Sequence, residues 1–178
     1  VNRSAIMLAA VALVLAPIAT GCATGDDAAT KVQGRSGDGI AIEVEGMLID
    51  NATIVAGNPG SGKAAFLGTL YNPTSNEDAL ISIKAGDSQA ELLPEPIPVA
   101  GMSAAKVMAG TDQQALFSDF EVPPGAYTDL TLVFESAASA QFEALVVAPY
   151  GAYVTAAPEG TDEVVKKVEE HSGGHGGE

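Results

Sequence analysis

Through the middle of the chain, apolar and polar residues alternate one by one. Ile40, Ile42 and Val44 are interleaved with Ala41, Glu43 and Glu45, and Leu132 and Phe134 with Thr131, Val133 and Glu135. A period of two sends successive side chains to opposite faces, which is the signature of a half-buried strand. Further strand-like stretches run at 52–55, 64–71, 80–85, 90–93, 105–108, 115–120, 130–135 and 141–148. Turn material separates them: Gly57-Asn58-Pro59-Gly60, Asn72-Pro73, Pro94-Glu95-Pro96 and Pro123-Pro124-Gly125. Eight or nine short strands so spaced predict an all-β protein, an antiparallel Greek-key β-sandwich of immunoglobulin or cupredoxin type. No long stretch of helical period occurs in this body, which argues against an α/β fold. Pro123 and Pro124 cannot donate to a central ladder and belong in a loop or at an edge.

The ends have a different character. Arg3 is followed by an apolar run from Ala5 to Ala19, and then by Thr20-Gly21-Cys22. The run, about 15 residues, is shorter than the roughly 20 that a spanning helix needs. A basic start, an apolar middle and small residues before a cysteine have the order of a secretory signal, and the junction resembles the lipobox of bacterial lipoproteins. The expectation is a signal peptide over 1–21, cleavage before Cys22, and acylation (diacylglycerol and palmitate) of that thiol. Ala19 stands where the pattern prefers Leu. Cys22 is the single cysteine of the chain, so no internal disulfide is possible. Acylation also removes a thiol that an oxidising compartment would attack, and two or three acyl chains anchor stably where one is marginal. Residues 22–38, small and polar, read as a lipidated flexible tether. The sandwich is expected over 39–150 and a C-terminal tail over 151–178. In that tail 161–171 could form a short helix capped by Thr161, with Val164, Val165 and Val168 as its stripe.

Charge narrows the partners. The formal net charge is −15, from 23 acidic and 8 basic residues. Such a body repels nucleic acid and anionic headgroups. It suits a domain that stands off the extracytoplasmic face of a cell membrane, held there by its lipid, where another envelope protein is a possible partner.

Catalytic motifs find little support. Gly57-Asn58-Pro59-Gly60-Ser61-Gly62-Lys63 matches the first seven positions of a phosphate-binding loop, but Ala64 stands where Ser or Thr must hold Mg²⁺. The next residues also read as a strand, where the motif needs a helix N-terminus; a hairpin loop without nucleotide is the reading. Nucleophilic catalysis needs a His base within the fold, and the two histidines are His171 and His175, in the tail. Paired carboxylates occur throughout, so none stands out. The chain reads as non-enzymatic and without a resident cofactor. For copper there are candidates: the thioethers of Met102 and Met108, which suit Cu(I) but also fill cores, and His171 and His175 with Glu169, Glu170 and Glu178, whose intervening glycines impose no geometry.

Ordered short phrases carry a family resemblance: Ile49-Asp50-Asn51-Ala52, Lys63-Ala64-Ala65-Phe66-Leu67-Gly68-Thr69-Leu70-Tyr71-Asn72, Glu77-Asp78-Ala79-Leu80-Ile81-Ser82-Ile83 and Leu130-Thr131-Leu132-Val133-Phe134-Glu135. Over about residues 40–148 the chain resembles the PCu(A)C-type copper-chaperone superfamily, in its actinobacterial envelope-lipoprotein branch. The resemblance implies a cupredoxin-like sandwich. It also implies a copper set of His, Met and a later His-x-Met, which does not carry over. Leu93 stands near the place of the first His and Met102 near that of the first Met, while no His precedes His171. The leading expectation is therefore a non-enzymatic, membrane-anchored binding or structural module. The alternative is an extracytoplasmic copper chaperone or copper-binding protein that uses Met102, Met108 and the tail histidines.

Overall fold

A computed structural model describes residues 39–161. The expected signal peptide, Cys22, the whole of the expected tether (22–38), the expected helix beyond Thr161, and both histidines lie outside the described residues.

Among the described residues eleven strands form in chain order: β1 (Ile40–Val44), β2 (Met47–Ala56), β3 (Ala64–Asn72), β4 (Asp78–Ala85), β5 (Ser88–Gln89), β6 (Glu91–Leu93), β7 (Ile97–Val99), β8 (Ser103–Val107), β9 (Gln114–Phe117), β10 (Tyr127–Phe134) and β11 (Ala140–Val147). One layer runs β1–β2–β3, with β8 and β9 sharing the far side of β3 and β6 beyond β9. The other has β10 between β4 and β11, with β5 and β7 along the outer side of β4. The layers join through β11. Its residues Ala140 to Leu145 pair antiparallel with β10, and Val146 and Val147 then run parallel to Ile54 and Val55 of β2. The result is the expected all-β sandwich, closed nearly to a barrel, antiparallel except at this one junction. The Thr53 hydroxyl, fully buried, donates to the Leu145 carbonyl at 2.6 Å where the strand changes partner.

The core between the layers is filled from alternate positions: Met47, Ile49, Ile54, Phe66 and Leu70 from one sheet, and Leu80, Ile83, Leu130 and Leu132 from the other. Each such side chain contributes about 1.5–3 kcal/mol relative to exposure. The Phe66 ring lies over Gly68, two residues on along β3. A Cβ at Gly68 would sit 2.5 Å from the ring's Cζ, so only glycine leaves the ring its place.

Some boundaries differ from those the pattern predicts. β2 begins at Met47, earlier than 52, because a bulge between Asp50 and Thr53 breaks its alternation. β7 falls just after the proline-rich segment read as a turn. Pro98 is accommodated there because β7 pairs with β4 alone and its middle residue is exposed. Packing also continues past residue 150, where the tail was placed. A 3₁₀ helix, Gly151–Ala156, lies on the outer face of the first layer, and its Ala156 is buried with Val55, Leu67 and Val147. The segment lacks strand or helix periodicity, which is why the pattern passed over it.

Candidate functional site

Met102 stands in the turn between β7 and β8, and the local sequence is built to hold that turn. Asn72, at the end of β3, is fully buried. Its amide nitrogen donates to the carbonyls of Asn76, at 2.8 Å, and Val99, at 3.2 Å. Its amide oxygen accepts from the Thr74 amide at 2.9 Å and the Thr74 hydroxyl at 2.8 Å. A buried amide satisfied on both sides fixes its surroundings firmly, since each bond lost would leave a buried group unpaired. The β3–β4 loop is thereby clamped to the end of β7. Gly101 then passes so close to this loop that a Cβ would lie 2.5 Å from the Ser75 carbonyl oxygen, and the Met102 amide donates to the Thr74 carbonyl at 2.7 Å.

The clamp leaves Met102 in an unusual state. Its φ is +53°, a left-handed conformation that costs an L-residue about 1–2 kcal/mol. Its side chain is 66% exposed, the most of any large apolar side chain among the described residues. Met102 and Asn51 are the two non-glycine residues at positive φ among the described residues, and of the two only Met102 combines that strain with an exposed soft donor atom, which makes it the candidate here.

Met108 lies elsewhere. Strand β8 separates the two methionines and pairs regularly with β3 from Asn72–Ser103 to Gly68–Val107. At the rise of an extended strand their Cα atoms are about 20 Å apart. Met108 packs, half-buried, against the outer cluster of Val55, Leu67, Val147 and Ala156. One ion cannot bind both thioethers in this structure. Leu93, at the end of β6, is 41% exposed. Among the described residues no three His, Cys, Asp or Glu side chains are grouped to hold a metal. Residues 57–63 form the β2–β3 hairpin loop, closed by the Gly57 amide on the Lys63 carbonyl at 2.7 Å, and Ala64 opens β3, not a helix. This loop and residues 118–124 border an open groove of about 660 Å³ that carries Lys63, Asp119 and Glu121. Its mixed charge favours no single ligand class.

Two features escaped the sequence reading. Asn72-Pro73 was visible as a turn, but nothing in it announced a buried amide. The packed segment 151–161 carried no periodic signal at all.

Neither a protein-family model nor a curated protein matches the chain. Solved structures do. The apo PCuAC domain from PmoF1 superposes with a TM-score of 0.56 at 19% identity, covering 61% of this chain and 99% of that one. The copper-bound PCuAC domain from PmoF2 gives 0.54 at 25% identity, with 61% and 98% covered. The apo form of the PmoF2 domain gives 0.53 at 24%, with 61% and 95% covered. The described body thus has the fold of PCuAC domains, the cupredoxin-like sandwich that its sequence phrases resemble.

Proposed function

We propose that this chain is an extracytoplasmic copper-binding protein, non-enzymatic and membrane-anchored through Cys22, in which the sandwich presents Met102 as a soft ligand. The observation that carries the reading is Met102 itself: an exposed thioether, at positive φ, on a fold shared with a copper-bound PCuAC domain. Thioether sulfur and imidazole suit Cu(I). One thioether is not a complete ligand set, and the chain's histidines, His171 and His175, both follow the described body. They are the proposed source of the remaining ligands.

Titration of the chain with Cu(I) against a chromophoric chelator tests this. Stoichiometric, sub-micromolar binding is expected, lost in Met102→Ala and in His171→Ala/His175→Ala. Binding indifferent to all three substitutions would refute the proposed ligand set.

A second reading is favoured by the separation of Met102 from Met108 and by the absence of a metal-binding group among the described residues. In it the same anchored sandwich serves as a binding or structural module for another envelope protein. Copper affinity no greater than that of a generic acidic protein would leave this reading in place.

A further inference from the structure

We infer that residues 150–161 form a reversible strap over the outer face of the β2–β3 layer, and that this strap partly shields Met108 from solvent. The outer face of a sandwich normally meets water and is polar. Here Val55 is fully buried, and Leu67 and Val147 retain only 8% and 7% exposure, because the strap lies on them and inserts Ala156. Met108, Leu145, Tyr153 and Ala157 complete the contact.

The strap is short, and it is seated by three buried residues, Ala156, Pro158 and Thr161. It is a single 3₁₀ segment whose N-cap, Tyr150, makes no side-chain cap bond, and 3₁₀ hydrogen bonds have poorer geometry than α-helical ones. Its far end is latched by the Asn58 side-chain amide on the Gly160 carbonyl at 2.5 Å and, more weakly, by the Lys63 ammonium on the Glu159 carbonyl at 3.4 Å. The latch is imperfect, since the Asn58 Oδ1 is buried without a hydrogen-bond partner. Solvent-open grooves border the strap: about 440 Å³ lined by Leu145, Tyr150 and Tyr153, and about 80 Å³ lined by Asn58, Lys63 and Gly160. Gly151, at φ +59°, supplies the bend at its root. A short segment whose hydrogen bonds to the body are solvent-exposed opens below the cost of global unfolding. Opening uncovers Val55, Leu67, Val147 and Met108 together, an apolar face with a soft ligand at its margin. The inference does not depend on copper binding.

The methionines supply the test. Dilute hydrogen peroxide converts an accessible thioether to the sulfoxide and is itself reduced to water, and peptide mass spectrometry reads each site separately. Met102 reports full exposure, Met47 (1% exposed) reports global unfolding, and Met108 reports the strap. In the wild-type chain Met108 should oxidise at least about tenfold more slowly than Met102 and faster than Met47. Ala156→Asp, which drives a charge into the seat, should bring Met108 within about threefold of Met102 while Met47 stays protected. Asn58→Ala, which only removes the latch, should raise the Met108 rate by a smaller factor. Equal rates at Met102 and Met108 in the wild type would show that no strap is closed. A Met108 rate unmoved by both variants, or one that rises only together with Met47, would also overturn the inference.

Discussion

The buried side-chain amide of Asn72 donates to the Val99 carbonyl at 3.2 Å, joining the end of β3 to the end of β7 across the base of the loop that presents Met102. Asn72→Ala removes this bond and three others at once, leaving the Thr74 amide and the Asn76 and Val99 carbonyls to find water. A loss of about 2–3 kcal/mol is expected in urea unfolding. Faster hydrogen exchange at the Met102 amide should accompany it, because its acceptor, the Thr74 carbonyl, is no longer held.

Met102→Gly should separate function from stability. Glycine relieves a left-handed strain of about 1–2 kcal/mol and returns about 0.5–1 kcal/mol of chain entropy to the unfolded state. The midpoint of denaturation should stay the same or rise slightly, while Cu(I) affinity falls. A destabilisation beyond about 2 kcal/mol would mean that the side chain packs in a way its exposure does not suggest.

Gly68→Ala sets a methyl group against the Phe66 ring in a core with nowhere to yield. Overpacking of this kind costs about 1–3 kcal/mol. Phe66→Leu should be destabilising alone, yet recover part of the loss when combined with Gly68→Ala. Additive effects in the double-mutant cycle would contradict the contact.

On the solvent face of the second layer Asp129 of β10 lies directly across from Glu143 of β11, and both are exposed. Like charges placed so oppose strand pairing by about 0.2–1 kcal/mol. Glu143→Gln should raise stability by an amount in that range, and the gain should shrink in high salt, where the repulsion is already screened. An equal gain at all salt concentrations would point to strand propensity, not charge.

The strands most easily read from the sequence were those with one wet face. In β10, Leu130, Leu132 and Phe134 point inward while Asp129, Thr131 and Val133 remain partly or fully exposed, so the period is plain. β2 and β3 are covered on both faces where the strap crosses them, and Thr53 to Ala56 are buried without a break. A strand buried on two sides loses its alternation, and here the covering element comes from a hundred residues away in a segment with no pattern of its own. β7 was hidden by Pro98 and its neighbouring prolines. For the candidate site, composition singled out Met102 and Met108 together. The strand read over 105–108 already held them apart; what the sequence could not convey is that one methionine stands in the open on a turn while the other packs against a strap from a distant segment.

The passage of β11 from β10 to β2 has a consequence for assembly. The outer margin of β2 is paired along its length, by β1 from Met47 to Ala52 and by β11 at Ile54 and Val55. A strand so occupied offers no row of free amides and carbonyls on which a neighbouring chain could polymerise. Because the same eight residues stitch both layers, neither sheet can come apart while the other stays whole, and melting should proceed in one cooperative step.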